Sequence, residues 1–197
     1  MGELCYNAGR ATDAIPFIRA CIDARPNRAN SYLLLAEALA DSNRDQEMIT
    51  PLETCIRIAP QNFSAHANLA HAYQAAGQST AAVREARWCL NVDPELTAVQ
   101  IILAKALRDL GEFRQALTIV QKARASTRTN LDAALLEADL LLFLDRGDEV
   151  YEQLMEFFDN HKDDRELISR LIRAALAAKK FDEAKEFRRQ LAELIPK

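Results

Sequence analysis

The chain has 197 residues, 49% of them hydrophobic, and only 5 Gly and 6 Pro; that is enough apolar material for one continuous core and too few turn formers for a sheet protein. A formal charge of −4, with no isolated Lys/Arg block, argues against a counterion-release grip on nucleic acid. The longest apolar run, Leu140 to Leu144, is far too short to insert into a bilayer, and no basic segment followed by an apolar run opens the chain, which favours a cytoplasmic location.

Two residue types mark a period. Cys21, Cys55 and Cys89 are spaced by 34 residues, and so are Pro26, Pro60 and Pro94. Continuing the proline series leads to Arg128, Lys162 and Pro196 without an insertion. With the proline at position 32, a partial unit over 1–28 is followed by units 29–62, 63–96, 97–130, 131–164 and 165–197.

In chain order, the partial unit brings Gly2, Gly9, Ala14, Cys21 and Pro26, and its first helix is shortened because Met1 already stands at the seventh position. Unit 29–62 has Tyr32, Leu35, Ala36, Leu39 and Pro60. Unit 63–96 has Leu69, Ala70, Tyr73, Gly77, Ala82 and Pro94. Unit 97–130 has Leu103, Ala104, Leu107, Gly111, Phe113 and Ala116, with Arg128 for the proline. Unit 131–164 fits least well, with Glu137 where Leu is usual and Lys162 for the proline. Unit 165–197 has Leu171, Ala175, Phe181, Ala184 and Pro196.

Each unit is predicted to hold two amphipathic helices. In 63–96, Leu69, Ala70 and Tyr73 form one apolar stripe, and Ala82, Val83, Ala86, Cys89 and Leu90 form the other. Ala36, Ala70 and Ala104 let the paired helices approach closely. Gly77 and Gly111 are placed to end helices in the left-handed conformation, and Asn62 and Asp164 to cap the helices that follow. Pro16 is expected in or near a first helical turn. Pro51 lies deeper and should bend its helix or delay its start.

This pattern resembles the tetratricopeptide repeat, a helix-turn-helix unit of 34 residues. The resemblance covers essentially the whole chain and implies an all-α fold, a right-handed α-solenoid running as one domain over 1–197. A single helix pair cannot bury its stripe, so stability is expected to come from stacking between neighbours.

Chemistry-bearing residues are sparse. The cysteines form no CxxC pair and have no His at metal-ligand spacing; Cys21, Cys55 and Cys89 fall at a slot for small buried residues. His66 and His71 are five apart and do not share a helix face, which argues against a metal or catalytic pair. His66 stands where the family often has an aromatic, and is expected to be half-buried; His71 is free to face a ligand. No phosphate loop, nucleophile elbow or H-E-x-x-H motif appears. The reading is therefore of a chain that is not an enzyme and that carries no cofactor and no metal.

In the family, the inner face of the superhelix is lined by the first helix of each unit. Carried onto this sequence, that face implies a partner-binding set of Leu33, Leu34 and Glu37, then Asn68, His71 and Gln74, then Ile101, Ile102, Lys105 and Arg108. It continues with Leu135, Leu136, Asp139, Leu142 and Phe143, then Arg170 and Arg173, with Tyr6 and Asn7 from the partial unit. The clamp that holds acidic chaperone tails would need basic and amide residues where Leu33, Glu37, Asn68, Ala98 and Ile102 stand, or, one unit on, Ala67, His71, Ile102, Asp132 and Leu136. Neither register matches. A ladder of Asn along position 6 is also absent, since only Asn68 fits. The pairs Leu33–Leu34, Ile101–Ile102 and Leu135–Leu136 point either to a groove for an amphipathic or extended apolar segment or to packing between first helices.

The expected function is a protein–protein interaction scaffold or adaptor that binds a protein or peptide. The alternative is a regulatory or substrate-recruiting segment of a larger enzyme. The third reading is self-association through uncapped ends: Phe181, Ala184, Leu191 and Leu194 are expected to lack a following helix to pack on, as in a piece of a longer array.

Overall fold

The computed structural model describes residues 11–194, so Gly2, Cys5, Tyr6, Asn7, Gly9 and Pro196 lie outside the described residues. Among the described residues there are eleven α-helices and no strand. They are α1 (Ala11–Ala24), α2 (Ala29–Ala40), α3 (Ile49–Ile58), α4 (Phe63–Ala75), α5 (Ser79–Val92), α6 (Thr97–Asp109), α7 (Phe113–Ser126), α8 (Leu131–Phe143), α9 (Val150–Phe158), α10 (Arg165–Ala177) and α11 (Phe181–Glu193). The chain divides into two compact units, the first ending at Leu110 and the second beginning at Gly111. In the first, consecutive helices pack on each other and the first helices α4 and α6 also touch; in the second, α8 packs against α10.

The 34-residue frame recurs in backbone angles. Gly77 and Gly111 have φ of 72° and 81°, and the residues one frame away, Asn43, Asp145 and Lys179, have φ of 54°, 58° and 59°. Every described turn between a first and a second helix therefore passes through the left-handed region. Gly does so without steric penalty, Asn and Asp tolerate it, and Lys does so at a cost.

Position 34 supplies the helix caps. Asn62 accepts from the Ala65 amide at 3.0 Å, Asn130 from Ala133 at 2.9 Å, and Asp164 from Glu166 and Leu167, each at 2.9 Å. Position 4 supplies a second device that the sequence did not announce. Tyr32, His66 and Gln100 bond the carbonyls of Pro26, Pro60 and Pro94 at 3.0, 3.1 and 2.6 Å. The side chain thereby holds the turn that enters its own helix. Where the proline is replaced by Arg128 or Lys162, position 4 is the apolar Ala134 or Ile168, so the proline and its donor come and go together.

The core is mainly aliphatic. Ala36, Ala70 and Ala104 are fully buried at the helix crossings, and so are Ala82 and Ala116. Cys55 and Cys89 fill the small slot expected of them. Cys21 does not: it is exposed on α1. Burial raises the Cys55 thiol above its usual pKa, and burial followed by the Glu85 charge pushes Cys89 up to about 11.

Two second helices begin late. Asp45–Met48 is a 3-10 turn ahead of α3, and Gly147–Glu149 is one ahead of α9. Pro51 thus ends up as the third residue of α3, where its missing N–H is harmless, so the start is delayed rather than the helix broken. Arg44 and Glu47 form a two-pronged ion pair across the first of these turns at 2.6 Å, and Arg146 and Glu149 repeat it across the second. At the second, Gly147 is required for space: a Cβ there would meet the Ala177 methyl at 2.5 Å. Pro16 sits deeper than expected, at the sixth residue of α1.

The misfit Glu137 is buried and satisfied from α7. Gln121 donates to it at 3.0 Å and Arg124 forms a short charge-assisted bond. Ala184, expected to lack a partner, is buried on α11; Leu191 and Leu194 are half-buried, while Phe181 is 58% exposed.

Candidate partner-binding site

The residues assigned to the inner face divide by burial. Ile101, Leu135 and Leu136 are buried and cannot touch a partner directly. The reason is packing between first helices: α4 lies on α6 and α8 on α10, and large aliphatic side chains at these positions fall into those seams. They are core residues, which corrects their expected place on an open groove.

In the first unit the remaining set mixes polar and apolar residues and is mostly half-buried. Leu33, Leu34 and Glu37 on α2 are half-buried. Partial burial, followed by the nearby Asp41 charge, holds the Glu37 carboxyl above its ordinary pKa. On α4, His71 is exposed, with Asn68 and Gln74 half-buried. On α6, Ile102, Lys105 and Arg108 are half-buried, and Arg108 is tied to Asp109 at 2.9 Å.

In the second unit the structure gathers three predicted residues into one cluster. Asp139 of α8 accepts from Arg170 at 2.8 and 3.1 Å and from Arg173 at 3.1 Å. One carboxylate thus orients two guanidinium groups. Arg170 is also paired with Glu166 at 3.2 Å, whereas Arg173 stays exposed and gives Asp139 a single N–H, leaving donors for a ligand. One helical turn beyond Asp139, Phe143 is 62% exposed and its ring rests on Phe113 with centroids 3.8 Å apart. Leu142 is half-buried beside the close approach at Gly147. Phe113 is a member of this surface that sequence reasoning did not assign to it; its separation of 30 from Phe143 is off the repeat period and gave no signal. The spacing of 34 between Asp139 and Arg173 was such a signal, because equal frame positions on neighbouring first helices lie side by side.

His66 is not part of any ligand site. It is buried, stacks on Trp88 with centroids 3.8 Å apart, and bonds Pro60 and Glu85. A carbonyl only accepts, so Nε2 donates to Pro60, and a proton must also lie between Nδ1 and Glu85 at 2.7 Å. Among the described residues no group of His, Cys, Asp or Glu could hold a metal ion. No helix among them is long and apolar enough to cross a membrane.

Two models of the tetratricopeptide repeat match the sequence, over residues 29–62 and 52–84. No curated protein matches the chain. Among solved structures, a tetratricopeptide repeat protein from Parabacteroides merdae is 14% identical, with 100% of this chain and 78% of that one covered at a TM-score of 0.79. MamA from Desulfovibrio magneticus is 13% identical, with 83% and 92% covered at 0.75. YrrB, described as a repeat protein of this type with an unusual peptide-binding site, is 14% identical, with 91% and 92% covered at 0.70. At these identities the likeness is one of fold.

Proposed function

The chain belongs to the tetratricopeptide-repeat proteins, and from that premise we propose that it is an interaction scaffold that holds a protein or peptide segment on the exposed faces of its first helices. The second unit supplies the clearest seat. Its ligand would be an extended or amphipathic segment with an apolar side chain laid on the Phe113–Phe143 pair and a carboxylate taken by Arg173. The observation that carries this is the exposed Phe143 one helical turn from Asp139, the carboxylate that orients the arginine pair. Preorganised donors lose little freedom on binding, and exposed aromatics supply anchor area. The peptide-binding site named for YrrB makes a peptide a reasonable ligand class for this fold. No catalytic step is part of this reading.

A phage-displayed library of random peptides selected on the purified chain tests it. Selected peptides should combine an apolar with an acidic residue. Their affinity should fall by about thirtyfold with Phe143→Ala plus Arg173→Ala, in line with about 2 kcal/mol for an interface anchor. Arg87→Ala on α5 should leave it unchanged. Peptides that bind the double variant as tightly as the parent would overturn the proposal.

A further inference from the structure

A cavity of about 500 Å³ opens between the second helices α1 and α3 with α2 as its floor. That volume falls in the range of ligand pockets. The repeat itself shows what is missing. One frame later, the corresponding slot between α3 and α5 over α4 is filled from within the chain. Tyr73 reaches across it to Glu53 at 2.6 Å, and Trp88 stacks on His66. Arg84, largely exposed, lies at the edge against Glu85 at 2.8 Å. In the first slot the frame-equivalents of Tyr73, Trp88 and Arg84 are Leu39, Thr54 and Thr50, all of which line the cavity. A phenol, an indole and a guanidinium have been replaced by three short side chains, with the helices around them retained. Pro51 stands where Glu85 does and adds an apolar wall.

The rim has its own charge. Arg19 and Glu47 face each other across the mouth at 3.6 Å, and Glu47 is also held by Arg44. Asp23 lines the cavity and has no ion-pair partner among the described residues. The cavity thus has an apolar floor of Leu35 and Leu39, Ile22 on the α1 wall, and one uncompensated carboxylate at its edge.

We propose that this slot is a second binding site, which takes an aromatic side chain of a partner segment, tryptophan above all, together with an adjacent basic residue. The aromatic ring takes the place that Trp88 and Tyr73 fill in the next repeat, and the cation pairs with Asp23. The partner completes a packing motif that the chain completes for itself one repeat on. This site shares no residue with the first-helix seat.

The probe is the tetrapeptide acetyl-Gly-Trp-Arg-Gly-amide, titrated into the isotope-labelled full chain and followed by amide NMR shifts. Shifts should concentrate at Ile22, Leu35, Leu39 and Thr54. Replacing the probe's Trp by Leu should abolish them. The variant Leu39→Tyr plus Thr54→Trp imports the neighbouring filling; it should remain folded and lose binding. Asp23→Arg touches only the rim, and should weaken binding by about fivefold even if the filled variant misfolds. The proposal falls if the lining residues do not respond, if the Leu probe binds equally well, or if Asp23→Arg binds as the parent does. Indole alone binding as tightly as the tetrapeptide would also overturn it, because the site would then serve a small molecule. Phe143→Ala plus Arg173→Ala should leave this titration unchanged.

Discussion

Repeats 63–96 and 131–164 each bury a carboxylate that an aliphatic core has no use for, and they satisfy it in different ways. Glu85 is met by His66 of its own repeat, with Trp88 on the ring and the Pro60 carbonyl on the far nitrogen. Glu137 is met by Gln121 and Arg124, which belong to the preceding repeat. The first arrangement satisfies the carboxylate from within its own repeat, and only the far nitrogen of His66 reaches back to Pro60 of the repeat before. The second ties two repeats together, and Arg124 adds a contact over the Phe157 ring, 5.9 Å from its centroid. A repeat frame therefore fixes where helices run, while the donors of a buried carboxylate come either from its own repeat or from the neighbouring one.

Removing each partner should separate the two cases. Arg124→Ala strands Glu137 in the core and should cost about 3–5 kcal/mol, whereas Arg124→Met with Glu137→Leu should be neutral or stabilising. The buried Arg124 Nε has no hydrogen-bond partner among the described residues, a further reason for the apolar pair to be tolerated. His66→Phe keeps a ring on Trp88 and loses two hydrogen bonds, for about 1–3 kcal/mol. Urea unfolding of the three variants measures this. If His66→Phe costs as much as Arg124→Ala, the distinction between internal and borrowed satisfaction is lost.

Alkaline pH should sharpen the same contrast. Burial, with the Glu53 bond second, pushes Tyr73 from 10.0 up to about 12, and Cys89 goes from 9.0 up to about 11. Both are neutral when protonated, and the unfolded chain loses these protons first. Their contribution is complete below pH 9 and is lost as pH rises towards 11 and 12. In repeat 131–164, Tyr151 is raised by burial but pulled back by Lys180, 4.2 Å over its ring. The urea midpoint should thus fall between pH 9 and 11.5, and Tyr73→Phe plus Cys89→Ala should flatten much of that fall. An unchanged slope in the double variant would assign it elsewhere.

The smallest effects belong to the turns. Lys179→Gly should stabilise by about 1 kcal/mol, and Gly77→Ala should destabilise by about 1–2 kcal/mol, because each changes only the cost of a left-handed residue. No atom lies within 4 Å of a Cβ built at Gly77, so packing does not enter. Thermal melts of both variants check the signs.

How far the sequence could be read follows the same line. The frame was legible because Cys and Pro recur at equal spacing, and with it came the repeat boundaries, the caps at Asn62 and Asp164, and the turns at Gly77 and Gly111. Asn130 holds the same frame position as those caps and was overlooked. Asn43, Asp145 and Lys179 gave no warning, since residue type alone does not reveal a positive φ. Glu137 was visible as a misfit, but Arg124 was not visible as its partner, because that contact crosses from one helix to the next. Ile101, Leu135 and Leu136 were placed on an open face by position number, when side-chain size and the adjoining first helix decide burial. The cavity over α2 is the absence of side chains that another repeat possesses, and it emerges only when two slots are superposed.

The three thiols at one register also make a clock. Cys21 stands in solvent, whereas Cys55 and Cys89 are sealed at the same station of the next two repeats. An alkylating reagent added to the native chain, with Cys5 replaced by Ser, marks Cys21 promptly and the other two only when their helix pairs part. The lag at Cys55 relative to Cys89 then reports how often each repeat breathes, in seconds rather than kilocalories. Filling the neighbouring slot, from within or by a bound peptide, becomes readable as a lengthened lag at Cys55.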